Sequence, residues 1–277
     1  MTIAQALIHG KNVLQKAGIA EADNDSWLLL SSVLHISRAA YYVRQSEEMD
    51  SEMYENFCNL IEIRSTHRPL QYILGTQEFM GYEFEVDENV LIPRQDTEIL
   101  VEEVLKVIQN EDEVLDMCTG SGCIILSIAK EADIKRGVGA DLSQGALEVA
   151  GRNRQRLGVS NVELVHSNLF ENVTGTFDVI VSNPPYIKTA VIEGLMEEVR
   201  QYEPFMALDG HDDGLYFYRR ITKEAVGFLR PGGYLFYEIG YDQGQEVAEI
   251  MRHNGYEDIR IIKDLAGLDR VVRATRP

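Results

Sequence analysis

Residues 114–128 read VLDMCTGSGCIILSI, and this stretch decides how the chain folds. The apolar run that ends at Met117 predicts a short buried strand, and the apolar residues from Cys123 onward predict a helix. Between them, Gly120 and Gly122 allow the backbone to turn tightly and to lie against a ligand that a Cβ atom would exclude. A strand, a glycine turn and a helix in this order predict the first unit of a parallel α/β sheet.

The same alternation of strand and helix continues to the end of the chain. The first five strand candidates lie at 114–117, 137–140, 162–165, 179–182 and 234–239. A helix over about 243–253 then leads into two further strands, 259–263 and 270–274, which a short loop joins. Seven strands that end in a hairpin predict an α/β fold with a doubly wound, seven-stranded sheet.

Residues 1–75 have a different pattern, because their apolar residues recur at helical spacing. The helical segments lie near 3–17, 25–34, 38–44 and 51–66. Pro69 ends this run, since proline cannot continue a helix interior. We therefore expect a small helical bundle at the N-terminus.

The residues after the bundle have the period of a half-buried strand. Between residues 79 and 90, the apolar Tyr82, Phe84 and Val86 alternate with acidic residues. This alternation predicts a β-hairpin linker over residues 76–93.

The third part of the chain, residues 94–277, begins with a helix that we expect to run from Asp96 to about Gln109. Asp96 and Glu98 stand in its first turn. Free N–H groups and the positive end of the helix dipole favour carboxylates at that position.

The composition restricts what such a protein binds and where it works. The formal net charge of the 277 residues is −19, and this field repels phosphate backbones, so direct binding to nucleic acid is not expected. Apolar stretches such as 124–129 are far shorter than the roughly 18 to 20 residues of a membrane-spanning helix. The N-terminus has neither a basic leader nor a cleavage site. We expect a cytoplasmic protein without a membrane segment.

The cysteines point to the same compartment. Cys58, Cys118 and Cys123 form an odd set, which is typical of reduced thiols in a cytosol. The six histidines are scattered singly, so the sequence contains no ligand cluster beside Cys118 and Cys123. We expect no metal site.

A carboxylate follows the second strand of the predicted sheet. Asp141 stands 19 residues beyond Gly122, where it faces the crevice at the strand ends and can accept both hydroxyls of a ribose. Asp141 also suits the N-cap of the helix that begins near Ser143. The glycine turn lacks the three spaced glycines of dinucleotide sites, which disfavours a pyrophosphate ligand.

The reacting residues are predicted in Asn183-Pro184-Pro185-Tyr186, at the end of the strand 177–182. Two consecutive prolines fix φ and remove two N–H donors, so the Pro184 carbonyl is held in one direction. Asn183 precedes a proline and is therefore pushed to an extended conformation. The Asn183 side-chain oxygen and the Pro184 carbonyl can then accept both hydrogens of one planar NH2 group.

This arrangement suits an unreactive nitrogen. The lone pair of an amide nitrogen is delocalised into the carbonyl, so positioning has to supply what basicity does not. Two acceptors that hold the hydrogens, with Tyr186 stacked on the flat face, can aim the lone pair at a bound electrophile. No strong base is then required, since positioning and electrostatics supply most of the catalysis.

The glycine turn and Asp141 resemble the cofactor site of class I S-adenosylmethionine-dependent methyltransferases, which usually carry a glycine where this chain has Cys118. S-adenosylmethionine has no phosphates, so its site can dispense with an anion-binding helix terminus. The motif Asn-Pro-Pro-Tyr is shared by enzymes that methylate glutamine amides and by enzymes that methylate adenine amino groups. By itself it leaves both substrates open.

A wider set of motifs resembles one family along nearly the whole chain. The motifs are RPLQYI at 68–73, VLIPRQDTE at 90–98, YEP at 202–204, DGL at 213–215, PGG at 231–233, EIG at 238–240, DLAG at 264–267 and DRVV at 269–272. Together they are similar to the peptide chain release factor glutamine methyltransferase family of the HemK/PrmC type.

The resemblance implies a class I methyltransferase sheet and a defined reaction. A methyl group passes from S-adenosylmethionine, leaving S-adenosylhomocysteine, to the side-chain amide of the glutamine in the Gly-Gly-Gln motif of class 1 release factors. It implies that Asn183, Pro184, Pro185 and Tyr186 hold that glutamine, with Asn183, Pro184 and Tyr186 as catalytic residues. It also implies that the N-terminal helical domain grips the release factor, and we expect a monomer.

The resemblance also implies a set of cofactor contacts. These are Arg94, Thr97, Cys118, Thr119, Gly120, Ser121, Gly122, Asp141, Leu142, Asn168, Leu169 and Asn183. The family more often has an acid where this chain has Asn168.

Three alternatives stay open from the sequence. An adenine-amino methyltransferase of DNA or RNA shares the reacting motif, but it would need a basic groove to offset the cost of flipping a base, and this chain has the reverse charge. A glutamine methyltransferase of a ribosomal protein shares the motif too and differs around Arg68 and Tyr202. A cofactor-binding protein without catalysis is the third.

Overall fold

The N-terminal residues fold as helices, as their periodicity predicts. The computed structural model describes all residues from 1 to 277. Its first helices are α1 (Ile3–Lys16), α2 (Ala22–Leu34), α3 (Arg38–Arg44), α4 (Ser51–Ser65) and α5 (Leu70–Leu74). The short α5 was not predicted. Pro69 stands at its N-cap, where the missing N–H costs nothing, so the proline ends one helix and precedes the next.

The helices α1, α2 and α4 bury a small core of their own. Its fully buried side chains include Leu14, Leu29, Leu30, Phe57 and Ile61. The close approach of α1 and α4 depends on Gly10, because a Cβ atom there would lie 2.6 Å from the Phe57 ring. This bundle therefore has the apolar interior that the three- and four-residue spacing predicts.

A two-stranded hairpin follows the bundle. Its antiparallel strands are β1 (Thr76–Phe79) and β2 (Tyr82–Glu85). Met80 and Gly81 both have positive φ, 52° and 75°, which is the conformation of the tightest hairpin turns. Both strands lie within residues 76–93, where the hairpin linker is predicted.

The C-terminal part contains the predicted seven-stranded sheet. The strands are β3 (Glu113–Met117), β4 (Arg136–Asp141), β5 (Val162–His166), β6 (Phe177–Ser182), β7 (Leu229–Glu238), β8 (Glu257–Lys263) and β9 (Asp269–Thr275). Their order is β5-β4-β3-β6-β7-β9-β8. The first five strands are parallel, and β9 pairs antiparallel with β7 and β8. This confirms the doubly wound α/β fold and its closing hairpin.

Helices cover both faces of this sheet. They are α6 (Gln95–Leu105), α7 (Cys123–Glu131), α8 (Gln144–Leu157), α12 (Tyr216–Ala225) and α13 (Gly244–His253). Three short helices, α9 (Thr189–Ile192), α10 (Glu197–Tyr202) and α11 (Phe205–Leu208), lie along the chain between β6 and α12. Successive residues of a strand point to opposite faces. Val114 therefore packs with α6 and α7, whereas Leu115 packs with α12 and α13. No helix in the structure is both long enough and apolar enough to cross a lipid bilayer.

The helix α6 differs from its predicted bounds. It begins at Gln95 and ends at Leu105, with Asp96 and Glu98 in its first turn as expected. The predicted end near Gln109 was wrong. Asp112 accepts a hydrogen bond from the Gln109 backbone N–H at 2.8 Å, so this stretch is a side-chain-capped turn that leads into β3.

A distant segment belongs to the helical unit. The chain divides into one unit of residues 1–75 with 196–202 and another of 76–195 with 203–277. Within the first unit, the buried Arg64 donates to Asp25 at 2.8 Å and to Glu198 of α10 at 2.6 Å. Tyr202 donates to the Thr66 carbonyl at 2.7 Å. A buried charge is tolerated only when it is paired, so these contacts hold the segment 196–202 firmly on α4.

Candidate active site

A cavity that is open to solvent lies at the carboxyl ends of β3, β4 and β6. The strand order reverses between β3 and β6, and ligands of open α/β sheets bind at such a switch point. The predicted site residues that line it are Arg94, Thr97, Cys118, Thr119, Gly120, Ser121, Asp141, Leu142, Asn168, Leu169, Asn183 and Pro185. Gly122, Pro184 and Tyr186 were also predicted at the site, but they do not line the cavity.

The turn after β3 is built from left-handed backbone. Cys118, Gly120 and Gly122 have φ values of 64°, 54° and 80°, a region that costs a side-chain-bearing residue roughly 1–2 kcal/mol. A Cβ at Gly120 would meet no protein atom within 4 Å, whereas one at Gly122 would lie 3.0 Å from Leu126. Gly120 therefore leaves room in the cavity, and Gly122 serves the packing of α7. Cys118 follows the same path as a glycine would, at the cost of strain.

Asp141 closes the turn from the neighbouring strand. Its Oδ2 accepts a hydrogen bond from the Gly120 backbone N–H, and its Oδ1 accepts one from the Ser143 backbone N–H, both at 2.8 Å. Burial raises the pKa of Asp141, and these two bonds oppose that shift. The N-cap of α8 is Ser143, whose hydroxyl oxygen accepts from the Ala146 N–H. Asp141 therefore does not cap α8, and its oxygens retain acceptor capacity on the cavity wall.

A second carboxylate supports the turn from below and was missed by sequence reasoning. Asp116 is fully buried at the end of β3, and Thr119 donates its hydroxyl hydrogen to Asp116 Oδ2 at 2.6 Å. Burial raises the pKa of Asp116 to about 7. An acid inside an apolar strand was the available signal, because such a group is retained only where it has a partner.

The thiols beside the turn are not reactive groups. Burial raises the pKa of Cys123 to about 12, and it raises the pKa of Cys118 well above its usual range. A cysteine nucleophile or ligand acts as the thiolate, so both side chains act here as small apolar groups. No group of three or more His, Cys, Asp or Glu residues is placed to hold a metal ion.

The motif Asn183-Pro184-Pro185-Tyr186 directly follows β6. Asn183 is half-buried, and its Nδ2 donates to Thr97 Oγ1 at 3.4 Å. No protein group donates a hydrogen bond to Asn183 Oδ1 or to the Pro184 carbonyl oxygen. Both oxygens are thus available as acceptors, while the Pro184 ring is buried behind them.

Tyr186 is anchored from several elements. Its hydroxyl donates to Glu238 Oε1 at 3.2 Å, and its carbonyl oxygen accepts from Gln243 Nε2 at 3.1 Å. A Cβ at Gly214 would lie 2.4 Å from that carbonyl oxygen, so only glycine fits there. Burial raises the pKa of Tyr186 far above its usual range, so the ring is a neutral platform beside Asn183.

The carboxylate that anchors Tyr186 was not identified from the sequence. Glu238 is the last residue of β7 and is 2% exposed. Burial raises its pKa, and interactions with Thr97, Arg270 and Tyr186 lower it. The signal in the sequence was an acid at the end of a strand, as for Asp141, but nothing local shows what it contacts.

Two further predicted residues are held by acidic partners. Arg94 pairs with the buried carboxylate of Glu203. Asn168 donates to Glu171 at 2.8 Å. Arg94 therefore reaches the cavity wall with a fixed guanidinium, and the Asn168 amide is partly engaged outside the cavity.

Comparison with known proteins agrees with this geometry. The family described as PrmC N-terminal domain matches residues 5–75, and the family described as methyltransferase small domain matches residues 94–201. Among solved structures, a methyltransferase from Pyrococcus furiosus has a TM-score of 0.55 at 20% identity, over 78% of this chain and 97% of the other. That likeness confirms the class I methyltransferase fold.

Close relatives exist along the full length. The release factor glutamine methyltransferase of Geobacter sulfurreducens is 43% identical over 272 residues, which cover 98% of this chain and 95% of the relative. That of Clostridium acetobutylicum is 42% identical over 282 residues, which cover 100% of this chain and 99% of the relative. The chain belongs to the release factor glutamine methyltransferase family.

Proposed function

We propose that this protein methylates the side-chain amide nitrogen of the glutamine in the Gly-Gly-Gln motif of class 1 release factors, with S-adenosylmethionine as the methyl donor. The observation that carries the proposal is the pair of acceptor oxygens, Asn183 Oδ1 and the Pro184 carbonyl, at the end of β6 next to the switch-point cavity. Full-length identity of about 40% to enzymes named for this reaction supports the same substrate.

The cavity fits the cofactor in shape and chemistry. The open space in front of Gly120 accommodates a ligand that a Cβ would displace. Asp141 would accept from the ribose hydroxyls, and Leu142, Asn168 and Leu169 would lie along the adenine. Cys118, Thr119 and Ser121, with Arg94 and Thr97 near the mouth, would complete the lining. When bound, S-adenosylmethionine supplies a methyl group that its sulfonium has already activated.

The protein then has to orient the amide. Asn183 Oδ1 and the Pro184 carbonyl accept the two amide hydrogens, and Pro185 and Tyr186 confine the flat group. With its hydrogens held, the nitrogen presents its lone pair to the methyl carbon. The methyl group would bond to this nitrogen as its bond to sulfur breaks, and the amide would release one of its two held hydrogens as a proton to solvent. Positioning of the amide contributes most of the catalysis, and no side chain has to remove an amide proton before the methyl transfer.

The substrate-binding surface is proposed to include the helical unit. Residues 1–75 would grip the release factor away from the reacting glutamine, residues 76–93 would link, and residues 94–277 would carry the chemistry. The net charge of −19 disfavours direct contact with nucleic acid. A monomer in the cytoplasm is the form in which we expect this enzyme to meet its substrate.

A methyl-transfer assay with mass spectrometry tests the proposal. Purified release factor, incubated with the protein and labelled cofactor, should gain one methyl group on the Gly-Gly-Gln glutamine, and a release factor with asparagine at that position should gain none. A ribosomal protein, DNA and RNA serve as parallel substrates. Label on any of these but none on release factor would contradict the proposal, as would binding of the cofactor without turnover.

A further inference from the structure

A buried carboxylate lies behind two of the reacting side chains. Glu238 is 2% exposed, and Tyr186 donates its hydroxyl hydrogen to Glu238 Oε1 at 3.2 Å. Thr97, itself 2% exposed, lies close enough to the same carboxyl group to lower its pKa. Glu238 Oε2 is buried without a hydrogen-bond partner, so it is an acceptor left free for the Thr97 hydroxyl. Glu238 therefore binds the Tyr186 hydroxyl and lies beside Thr97.

The donors and acceptors in this group have a fixed direction. A carboxylate only accepts hydrogen bonds, so Glu238 takes the hydrogen of the Tyr186 hydroxyl, and a Thr97 hydroxyl turned toward Oε2 has to donate its own. The Thr97 hydroxyl has one hydrogen, so its oxygen is left to accept from its other neighbour. That neighbour is the Asn183 Nδ2 at 3.4 Å. With its NH2 turned toward Thr97, Asn183 has to present Oδ1 on the opposite side.

A nearby cation supports the charge on Glu238. Arg270, with its side chain 13% exposed, lowers the pKa of Glu238 by its charge. It is itself held by Asp96 at 3.0 Å and Asp264 at 3.1 Å. A buried carboxylate is tolerated only when it is paired or hydrogen-bonded, and these groups meet that condition.

We infer that Glu238 is a positioning residue for the methyl transfer: through Thr97 it fixes which way the Asn183 amide faces, and directly it fixes the ring of Tyr186. This inference rests on the proposed function. Glutamine at position 238 would have the same shape but would carry an NH2 donor. It can turn the Thr97 hydroxyl toward Asn183 and so reverse the Asn183 amide, which then offers a donor to a substrate that needs an acceptor.

Steady-state kinetics on the full chain with release factor test this role. Glu238→Gln should lower kcat roughly 10- to 100-fold, as loss of precise positioning does, while cofactor Kd and release-factor KM stay within about threefold of the parent protein. Thr97→Val should lower kcat comparably, and Thr97→Ser, which keeps the hydroxyl, should lose much less. Because both changes break one path, the double variant Thr97→Val/Glu238→Gln should be little worse than Glu238→Gln alone.

Matched controls separate positioning from stability. Glu113→Gln changes a partly buried glutamate at the start of β3, where it pairs with Lys135 and Arg230, and Thr222→Val changes a buried threonine bonded to Tyr237. Both should keep kcat. Should Glu238→Gln lower only the melting temperature, or should Thr97→Ser and Thr97→Val lose equally, the inference is overturned. If Glu238→Gln does not fold, the difference in kcat between Thr97→Val and Thr97→Ser decides. Absence of methylation by the parent protein instead overturns the proposed function.

Discussion

The loops after β3 and β6 lie side by side at the same edge of the sheet, and they obtain their shapes in opposite ways. The loop 118–122 uses backbone freedom, with positive φ at Cys118, Gly120 and Gly122. The loop 183–186 uses restriction, since two prolines fix its path and Thr97, Glu238 and Gln243 hold its ends. The first loop should thus be sensitive to added atoms and the second to removed hydrogen bonds. A variant series from large to small effect tests this contrast.

The largest effect is expected in stability at Asp116, which supports the first loop. Its pKa rises from 3.8 in the unfolded chain to about 7 in the folded protein, so the native state binds the proton more tightly. Asp116 therefore costs stability as pH rises from about 4 to about 7, on the order of 4 kcal/mol in total. Asp116→Asn removes this cost. Its free energy of unfolding, relative to the parent protein, should increase between pH 4.5 and pH 7.5 in urea titrations without cofactor.

The same difference in free energy of unfolding between Asp116→Asn and the parent protein at both pH values would contradict this assignment. Asp258→Asn is the matched control, since Asp258 is half-exposed on β8, away from the first loop, and should not reproduce the change expected for Asp116→Asn.

The next effect is expected in the second loop. Asn183→Ala removes one acceptor and should lower kcat by roughly 10² or more, as loss of a positioning contact does. Calorimetry should find cofactor affinity within a few-fold of the parent. Equal losses in kcat and cofactor affinity would mean that Asn183 holds the cofactor rather than the target amide.

A smaller effect is expected for Asp141, the acceptor of the first loop. Asp141→Ala should weaken cofactor binding by about 1.5 to 3 kcal/mol, the value of a charge-assisted hydrogen bond. Isothermal titration calorimetry measures it directly, with Asp23→Ala of the helical unit as a control. An unchanged Kd for the cofactor would mean that Asp141 only holds the backbone of Gly120 and Ser143 in place.

The smallest effects distinguish the two glycines. Gly120→Ala should cost about 1 to 2 kcal/mol of stability from backbone strain, and its methyl group should also obstruct the cofactor, because it points into open space. Gly122→Ala should cost at least as much stability, since its Cβ would lie 3.0 Å from Leu126, yet leave cofactor affinity nearly intact. Thermal melts and calorimetry on both variants measure the two effects. The opposite pattern would contradict the separate roles.

Local pattern predicted much of the fold. Strands buried in a parallel sheet are apolar runs between turn signals, so the five parallel strands were found, with β7 beginning five residues earlier than predicted. The two strands of the closing hairpin were found to within two residues. The helix α5 was missed because proline is read as a break, and α9–α11 were not predicted because helices of four to six residues are too short for a period to emerge. The 10-residue α12 was also missed, although its amphipathic period is present in the sequence. The alternation at Tyr82 and Phe84 marks β2 and the residues after it, so it did not locate the turn at Met80 and Gly81.

The sequence predicted those parts of the candidate site whose functional groups lie within one short segment. The glycine turn, Asp141 and the Asn-Pro-Pro-Tyr motif could be read from sequence, since each is a short segment at a strand end. The role of Glu238 could not, because its contacts come from Thr97 and Tyr186, which lie 141 and 52 positions away. Ser143 as the cap of α8 could not be separated from Asp141 either, since both residue types suit an N-cap.

The most direct test of the central claim is a crystal structure with the demethylated cofactor and the Gly-Gly-Gln loop of a release factor. The account predicts the glutamine NH2 within hydrogen-bond distance, about 2.7–3.2 Å, of both Asn183 Oδ1 and the Pro184 carbonyl oxygen, with its nitrogen facing the cofactor sulfur. A glutamine whose NH2 contacts neither oxygen would contradict it.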